Sequence, residues 1–318
     1  MFWESFRVTS LAVAQSFLLG AIGYFLVKKN ILGSEGLNAL SRLVIEVTLP
    51  IMIFCQLIKD FKFSLYPDWW IFPLLSFAIT AVGLALGILF SRVIKGAAEK
   101  QQFLGLVTFQ NSGYLPLALI AALLPQEKVG SMFIYLFLFL LGFNVAMFSL
   151  GAHIISFHKH KKFEMASIFS PPVVAVSVTL LLIALGVNNF IADGILKPLR
   201  MIGDCTLPLA MFVVGGSLAE IRLVRVDKKA IFLMGLVKLI ILPALGILLI
   251  MKFKLPELIG LLIVMELAMP PATFLSVITR HYKKEDLLIS QGILLGHIIS
   301  IVTIPVFLSL YFMLNVIR

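Results

Sequence analysis

Residues 42–50 read Arg-Leu-Val-Ile-Glu-Val-Thr-Leu-Pro, and residues 200–208 read Arg-Met-Ile-Gly-Asp-Cys-Thr-Leu-Pro. The arginine, the acidic residue and the Thr-Leu-Pro end therefore recur in one order after a shift of 158 residues. Two shorter matches follow at nearly the same shift: Leu-Gly-Ile-Leu at 86–89 and 245–248, and Gly-Leu at 105–106 and 260–261 with Pro116 and Pro271 after them. Three ordered matches predict an internal repeat of about half the chain.

Composition indicates that the lipid bilayer is the environment of this chain. Of its 318 residues, 60% are apolar and 13% are charged, and the mean hydropathy is +1.06. Such values lie outside the range of soluble globular domains, and no soluble-sized segment separates the apolar stretches. Breaks between these stretches predict an all-α integral membrane protein with ten transmembrane helices, at about 8–27, 37–58, 69–91, 102–124, 130–156, 170–187, 196–218, 229–251, 257–279 and 287–314.

The ten predicted spans divide into two repeats of five, residues 1–158 and 159–318. Because five is an odd number, the second repeat must lie in the membrane with the opposite orientation to the first. Inverted repeats of this kind are typical of secondary transporters, whose substrate sites lie between the repeats. The repeat therefore indicates transport.

The distribution of basic residues predicts the orientation. With 3 Lys/Arg inside spans set aside, 15 lie in the odd-numbered connections, and the even-numbered connections and the termini together hold 8. By the positive-inside rule, both termini of this multi-pass plasma-membrane protein are expected outside the cytoplasm. The formal net charge of +10 is explained by these clusters at span ends, so no nucleic-acid partner is expected.

Two repeat-related spans, the fourth and the ninth, carry proline at mid-length, which interrupts a helix by removing an N–H donor and by a ring clash. Broken backbone is tolerated in a membrane where it is buried in protein or lines a polar cavity, and the helix ends it creates can bind an ion. A plain proline kink is the alternative. The predicted substrate site comprises Asn111, Ser112, Gly113, Tyr114, Pro116, Pro270 and Pro271.

Five ionisable residues inside the spans are candidates for ion coupling: Glu266, Lys238, Glu46, Asp204 and His297. Lys238 lies about ten residues, roughly 15 Å, into its span, so it needs a partner, and Glu266 is the candidate. This pair is either a proton or sodium coupling site or a static brace. Glu46 and Asp204 each follow an arginine by four residues, as an intrahelical ion pair or as a titrating gate. His297 is either a proton carrier or a packing residue.

No enzyme or cofactor motif stands out, since a nucleophile elbow, a Walker sequence and H-E-x-x-H are all missing from the chain. Two cysteines, Cys55 and Cys205, supply neither a disulfide framework nor a zinc site. The stretch His-Lys-His-Lys-Lys at 158–162 is interpreted as a basic cytoplasmic connection, with a lipid or metal contact as the alternative. We therefore expect no enzymatic activity, no cofactor and no metal.

Four segments of the sequence resemble the auxin efflux carrier family, which includes the PIN-like transporters and bacterial members. The second-helix motif is Ser-Arg-Leu-Val at 41–44 leading to Leu49-Pro50, and the fourth-helix motif is Asn-Ser-Gly-Tyr-Leu-Pro at 111–116. The segment Ala-Met-Pro-Pro-Ala-Thr at 268–273, followed by Tyr282, and the segment Ser-Ile-Val-Thr-Ile-Pro at 300–305 are similar to the family's ninth and tenth helices. The resemblance extends over essentially the whole chain.

The resemblance implies a ten-helix fold in which helices 4 and 9 cross at the substrate site. Helices 1, 2, 6 and 7 would form a scaffold that usually dimerises, and helices 3–5 with 8–10 a moving transport domain. Bacterial relatives are assigned to malate, malonate or similar carboxylates, so a small organic anion, rather than auxin, is the implied substrate. His297 and Glu46 depart from the family, because a small hydroxyl residue and an apolar residue are more usual there.

The sequence leaves three functional hypotheses. The first is an elevator-type carrier of small organic anions, working as a homodimer in contact with membrane lipid and coupled to protons or sodium. The second is a sodium-coupled, bile-acid-like symporter or a sodium/proton antiporter of related architecture. The third belongs to another class, a membrane receptor or subunit without transport.

Overall fold

The computed structural model describes residues 2–151, 153–154, 169–224, 227–281 and 287–316. This part of the chain is all-helical and contains no strand, in agreement with the predicted fold class. The basic stretch at 158–162 and Tyr282 of the ninth-helix motif lie outside the described residues. Twelve helices of eight or more residues follow one another along the described segments.

These helices are numbered here in chain order. In the first half they are α1 Phe2–Lys28, α2 Ser34–Asp60, α3 Ile71–Ser91, α4 Ala97–Thr108, α5 Tyr114–Leu123 and α6 Gln126–Gly151. In the second half they are α7 Pro171–Ala184, α8 Asp193–Glu220, α9 Lys228–Phe253, α10 Glu257–Ala268, α11 Phe274–His281 and α12 Leu287–Val316. A short 3-10 helix, Val187–Phe190, connects α7 to α8.

Seven of these helices, α1, α2, α3, α6, α8, α9 and α12, are long and apolar enough to cross a membrane. The other three predicted spans contain shorter helices: α4 and α5 share the fourth span, α7 occupies the sixth, and α10 and α11 share the ninth. The structure thus gives a multi-pass, all-helical protein, while the count of ten spans and the inverted repeat stay predictions.

Wide π-helical turns interrupt two long helices just before a Leu-Pro pair. Residues Val44–Thr48 form one in α2 ahead of Pro50, and Val237–Ile241 form one in α9 ahead of Pro243. A proline ring clashes with the carbonyl four residues earlier, and the wider turn gives that carbonyl room. The second of these turns carries Lys238, so local backbone geometry sets where this side chain points.

Helices α1 and α8 pack with their backbones almost in contact. A Cβ added at Gly215 would lie 1.7 Å from the carbonyl oxygen of Gly20, and one added at Gly23 would lie 2.3 Å from that of Phe212. Close approach through small residues is how membrane helices gain van der Waals contact, since burial from lipid yields little. Glycine is therefore required at positions 215 and 23.

Two of the half-length helices, α10 and α5, lie inside the protein. Every residue from 260 to 268 in α10 is buried, and α5 is buried from Leu115 to Ile120. A helix that is apolar and enclosed on all sides can end within the membrane, because neighbouring protein satisfies its free backbone groups. The ends of α4 and α10 and the starts of α5 and α11 lie together inside the protein.

Candidate functional site at the crossing of two interrupted helices

Two extended segments cross at the centre of the molecule and pair with each other. One, at 109–113, joins α4 to α5, and the other, at 269–273, joins α10 to α11. The Asn111 N–H donates to the Pro270 carbonyl at 2.8 Å, and the Ala272 N–H donates to the Phe109 carbonyl at 3.0 Å. Gln110 and Pro271 thereby form an isolated antiparallel bridge. Both interruptions predicted from the sequence are present, and each satisfies backbone groups of the other.

One of the two helices, α5, resumes earlier than its proline position predicts. Helix α5 begins at Tyr114, so Pro116 lies in its first turn instead of at the break, whereas Pro270 and Pro271 lie inside the extended segment before α11. In a first helical turn the missing proline N–H has no intrahelical acceptor to lose, so the proline is tolerated there. Pro116 therefore lies in the first turn of α5 and does not cause the interruption of the helix.

A cavity of about 190 Å³ opens beside the crossing. Its volume is more than tenfold the roughly 10–15 Å³ that a single water requires. Four predicted substrate residues, Asn111, Ser112, Gly113 and Tyr114, line it, whereas Pro116, Pro270 and Pro271 are not among the residues of its wall. Further polar or small wall residues are Ser41, Gln110, Asn144, Ser170, Ser217, Ala272 and Thr273.

The first turns of α5 and α11 reach this cavity. Gly113 and Tyr114 at the start of α5, and Thr273 and Phe274 at the start of α11, belong to its wall. No side chain caps the N-terminus of α5. The first N–H groups of a helix lack intrahelical acceptors and carry partial positive charge, so the cavity presents two ends suited to an anion.

Asn111 and His297 form a buried polar pair at the cavity. The Asn111 Nδ2 atom lies 3.3 Å from His297 Nε2, and His297 Nδ1 lies 2.8 Å from the Ile293 carbonyl oxygen. Because a carbonyl only accepts, Nδ1 carries the proton, and Nε2 of the neutral ring accepts from the Asn111 amide. That amide has a second hydrogen, and no described residue accepts it in a hydrogen bond. His297 therefore fixes the orientation of the Asn111 amide, whose second N–H is available to donate to a ligand.

Lys238 and Glu266 meet through a third residue. The Lys238 Nζ atom donates to the Val107 carbonyl at 3.1 Å and to Gln110 Oε1 at 3.3 Å, while Gln110 Nε2 lies 3.5 Å from Glu266 Oε2. All three side chains are at most 1% exposed. Within the described residues the lysine and the glutamate form no direct ion pair at 4.0 Å or less, although each is close enough to feel the other's charge. Gln110 thus bridges the predicted partners.

Several buried polar atoms lack a hydrogen-bond partner among the described residues, and two of them belong to facing side chains at the crossing. They are the Ser112 hydroxyl oxygen and Glu266 Oε1, and both residues are at most 1% exposed. The Ser112 hydroxyl faces the Glu266 carboxylate without reaching hydrogen-bond geometry. Unpartnered buried polar atoms cost free energy, so these two atoms are available to hydrogen-bond a water or a ligand.

The predicted acidic gates lie away from the cavity. Glu46 pairs with Arg42 at 3.1 Å, with both side chains largely exposed, which confirms the intrahelical ion pair there. For Arg200 and Asp204 the described structure contains no corresponding ion pair, so that expectation is wrong. Both residues lie in the regular helical stretch Asp193–Asp204 of α8, so their i, i+4 spacing is kept although the side chains do not pair. Neither Glu46 nor Asp204 belongs to the cavity wall.

Sequence reasoning missed Gln110, Asn144 and Thr273 as site residues. Gln110 directly precedes the Asn-Ser-Gly stretch, and Asn144 is an isolated amide in a strongly apolar helix, so both carried a signal. A polar side chain inside an apolar span is costly unless it faces protein or a cavity. Thr273 carried none, because threonine is common in membrane helices.

Comparison with known protein families identifies the chain. A model of the family described as membrane transport protein matches residues 8–164 and again residues 156–308, which together span nearly the whole chain. No curated protein gives a significant match. The chain is therefore a member of the membrane transport protein family, the family of the auxin efflux carriers and PIN-like transporters.

Proposed function

We propose that this protein is a secondary active transporter that carries small organic anions, such as mono- or dicarboxylates, across the membrane. The observation that carries this proposal is the pairing of two interrupted helices beside a cavity that receives two helix N-termini. Family membership supports a membrane transporter, and the cavity chemistry supports the substrate class.

Recognition of the anion would rest on backbone and amide donors. A carboxylate placed against Gly113 and Tyr114 would accept N–H groups at the start of α5, with Thr273 and Phe274 on the opposite side. Asn111 and Ser112 would add side-chain donors, and the apolar walls from Leu140, Phe143 and Met147 would hold the carbon skeleton. An anion bound in this way needs no arginine or lysine in the wall.

During transport, the helices that form the crossing would move relative to a fixed scaffold. Within the proposed scaffold α1 packs against α8, and α2 against α7 and α8. Within the proposed moving part α3 packs against α4 and α6, and α12 against α4 and α10. Helix α1 also packs against α12 and α5, so the proposed motion would have to slide these helices past α1. The cavity lies between the two sets, since Ser41 of α2 and Ser217 of α8 face the residues of the crossing. We propose an elevator-type motion, with the scaffold helices forming a homodimer interface and the rest of the apolar surface facing lipid.

Coupling would use the buried ionisable residues next to the crossing. Lys238, Glu266 and His297 adjoin the residues that would hold the anion, so a proton or sodium ion bound here would feel the substrate charge. We propose that the protein lies in the bacterial inner membrane, as its resemblance to bacterial members of the family implies. Both termini would lie outside the cytoplasm, because of the asymmetric distribution of basic residues.

Replacing Asn111 by alanine tests the proposed site. The change removes a buried amide that faces the cavity, at a cost on the order of 1–3 kcal/mol in substrate binding, or roughly a five- to hundredfold loss of affinity. A thermal-shift screen of the purified wild type against mono- and dicarboxylates identifies the ligand, whose affinity is then titrated in both proteins.

Asn189→Ala is the matched control, because Asn189 is an exposed asparagine in the 3-10 helix between α7 and α8. It should bind the ligand as the wild type does. Size-exclusion profiles report whether each variant is folded. A well-folded Asn111→Ala protein with unchanged affinity would place the substrate elsewhere.

A further inference from the structure

The Lys238 ammonium lies where the C-terminal ends of two half-helices meet. Its Nζ donates to the carbonyl of Val107, the penultimate residue of α4, and Glu266 belongs to the last turn of α10. The last carbonyls of a helix have no intrahelical donor and carry partial negative charge. Two such ends create a negative potential on this side of the crossing, opposite in sign to the starts of α5 and α11.

Glu266 adds a full acidic group to the same place. The residue is fully buried, and a carboxylate in the last turn of a helix is disfavoured by the helix dipole. Its Oε1 has no hydrogen-bond partner among the described residues, and its Oε2 has Gln110 Nε2 at 3.5 Å. A carboxylate in this setting needs a cation close by, because isolation of one charge in a dry interior costs several kcal/mol.

Gln110 completes a set of oxygen ligands. Its Oε1 accepts from Lys238 Nζ at 3.3 Å, beside the Val107 carbonyl at 3.1 Å, while its Nε2 faces the carboxylate. Carbonyl oxygens at half-helix ends, with an amide oxygen and a nearby carboxylate, are the chemistry by which transporters hold a sodium ion. In this protein the Lys238 nitrogen contacts two of these oxygens, those of Val107 and Gln110.

We propose that the Lys238 ammonium is a tethered cation that occupies the place of a coupling sodium ion, so that transport by this protein does not require sodium. The claim that transport does not require sodium rests on the proposed function. The claim that Lys238 occupies the cation position does not. Because the ammonium is covalently attached, it neutralises the helix ends and Glu266 at any sodium concentration. Protons then remain as the candidate coupling ion, with Glu266 as their acceptor.

Thermal unfolding of the purified protein in matched chloride salts tests the inference. The wild type should have the same Tm in sodium chloride as in choline chloride, and its uptake in proteoliposomes should not change when choline replaces sodium. Lys238→Ala should be less stable than wild type in choline chloride, since Glu266 and the two helix ends lose their cation. Sodium or methylammonium should restore its Tm by on the order of 3 °C, because a ligand that binds only the folded state stabilises it.

Two controls make the result specific. Lys128→Ala removes a lysine from an exposed ion pair with Glu257, at 2.7 Å, and should show no response to sodium over choline. The double variant Lys238→Ala with Glu266→Gln should lose the sodium response, because the carboxylate that attracts the ion is gone. Lys238→Met keeps most of the side-chain volume and replaces the alanine variant if the latter does not purify.

Two outcomes would overturn the inference: selective stabilisation of the wild type by sodium, or a Lys238 variant that responds to sodium no more than Lys128→Ala does. Both are read from unfolding without substrate. A failure here is therefore distinct from a failure of the Asn111 experiment, which measures anion binding.

Discussion

Substitution of Gly215 by alanine is expected to separate the two helices on which the scaffold depends. The added Cβ would lie 1.7 Å from the Gly20 carbonyl oxygen, and 2.5 Å from the Gly20 carbonyl carbon. Carbon and oxygen atoms approach no closer than about 3.3 Å even in favourable C–H···O contacts. Helices α1 and α8 would therefore have to move apart by about 1.6 Å, since backbone atoms cannot rotate away as a side chain can.

The expected loss of stability follows from two opposing effects. Overpacking of this kind costs about 1–3 kcal/mol, and the clash with backbone favours the upper end of that range. Alanine recovers up to about 1 kcal/mol of helix propensity relative to glycine. The net loss is about 2 kcal/mol, which lowers Tm by on the order of 5 °C.

Gly20→Ala is the matched control on the facing helix. Its Cβ would meet Met211 Cε at 3.7 Å, an ordinary contact distance, so its Tm should equal or slightly exceed that of the wild type. Both variants are compared by thermal unfolding in one detergent, with size exclusion to check their state. Equal stability of Gly215→Ala and Gly20→Ala would refute the close backbone packing of α1 on α8.

Further predictions concern topology and coupling. In a cysteine-free background, with Cys55 and Cys205 replaced, single cysteines at 92–100 and 222–229 should react with an impermeant reagent only from the cytoplasm, and cysteines at 59–68 only from outside. Labelling of 59–68 from the cytoplasm would contradict the ten-span inverted arrangement. Glu266→Gln should abolish the dependence of uptake on an imposed ion gradient, because the amide cannot change its charge; uptake with normal ion dependence would make the Lys238–Glu266 cluster a static brace.

Hydropathy was enough to predict a helical membrane protein, because a bilayer accepts only segments whose backbone groups are satisfied internally. The interruption of the fourth and ninth spans was also readable, since proline at mid-span removes a backbone donor whatever the surroundings. Four residues of the cavity wall could be predicted for the same reason, because they lie next to this interruption: Asn111, Ser112, Gly113 and Tyr114.

The tertiary structure decided which polar residues meet. Gln110 connects Lys238 to Glu266, and His297 orients Asn111, over sequence separations of 128, 156 and 186 residues. No local pattern encodes such contacts, because they depend on how helices cross and on the π-helical turn that positions Lys238. The same holds for Arg200 and Asp204, whose spacing predicts an ion pair that the described structure does not contain.

Sequence alone therefore determined the environment, the helical class and the sites of interruption, since these follow from the solvation of each segment by itself. Only the fold decided that the starts of α5 and α11 and the ends of α4 and α10 come together. That convergence puts two helix N-termini on one side of the crossing and two helix C-termini with Lys238 on the other. Helix dipoles act over short distances, so their effect requires the helix ends to be in place.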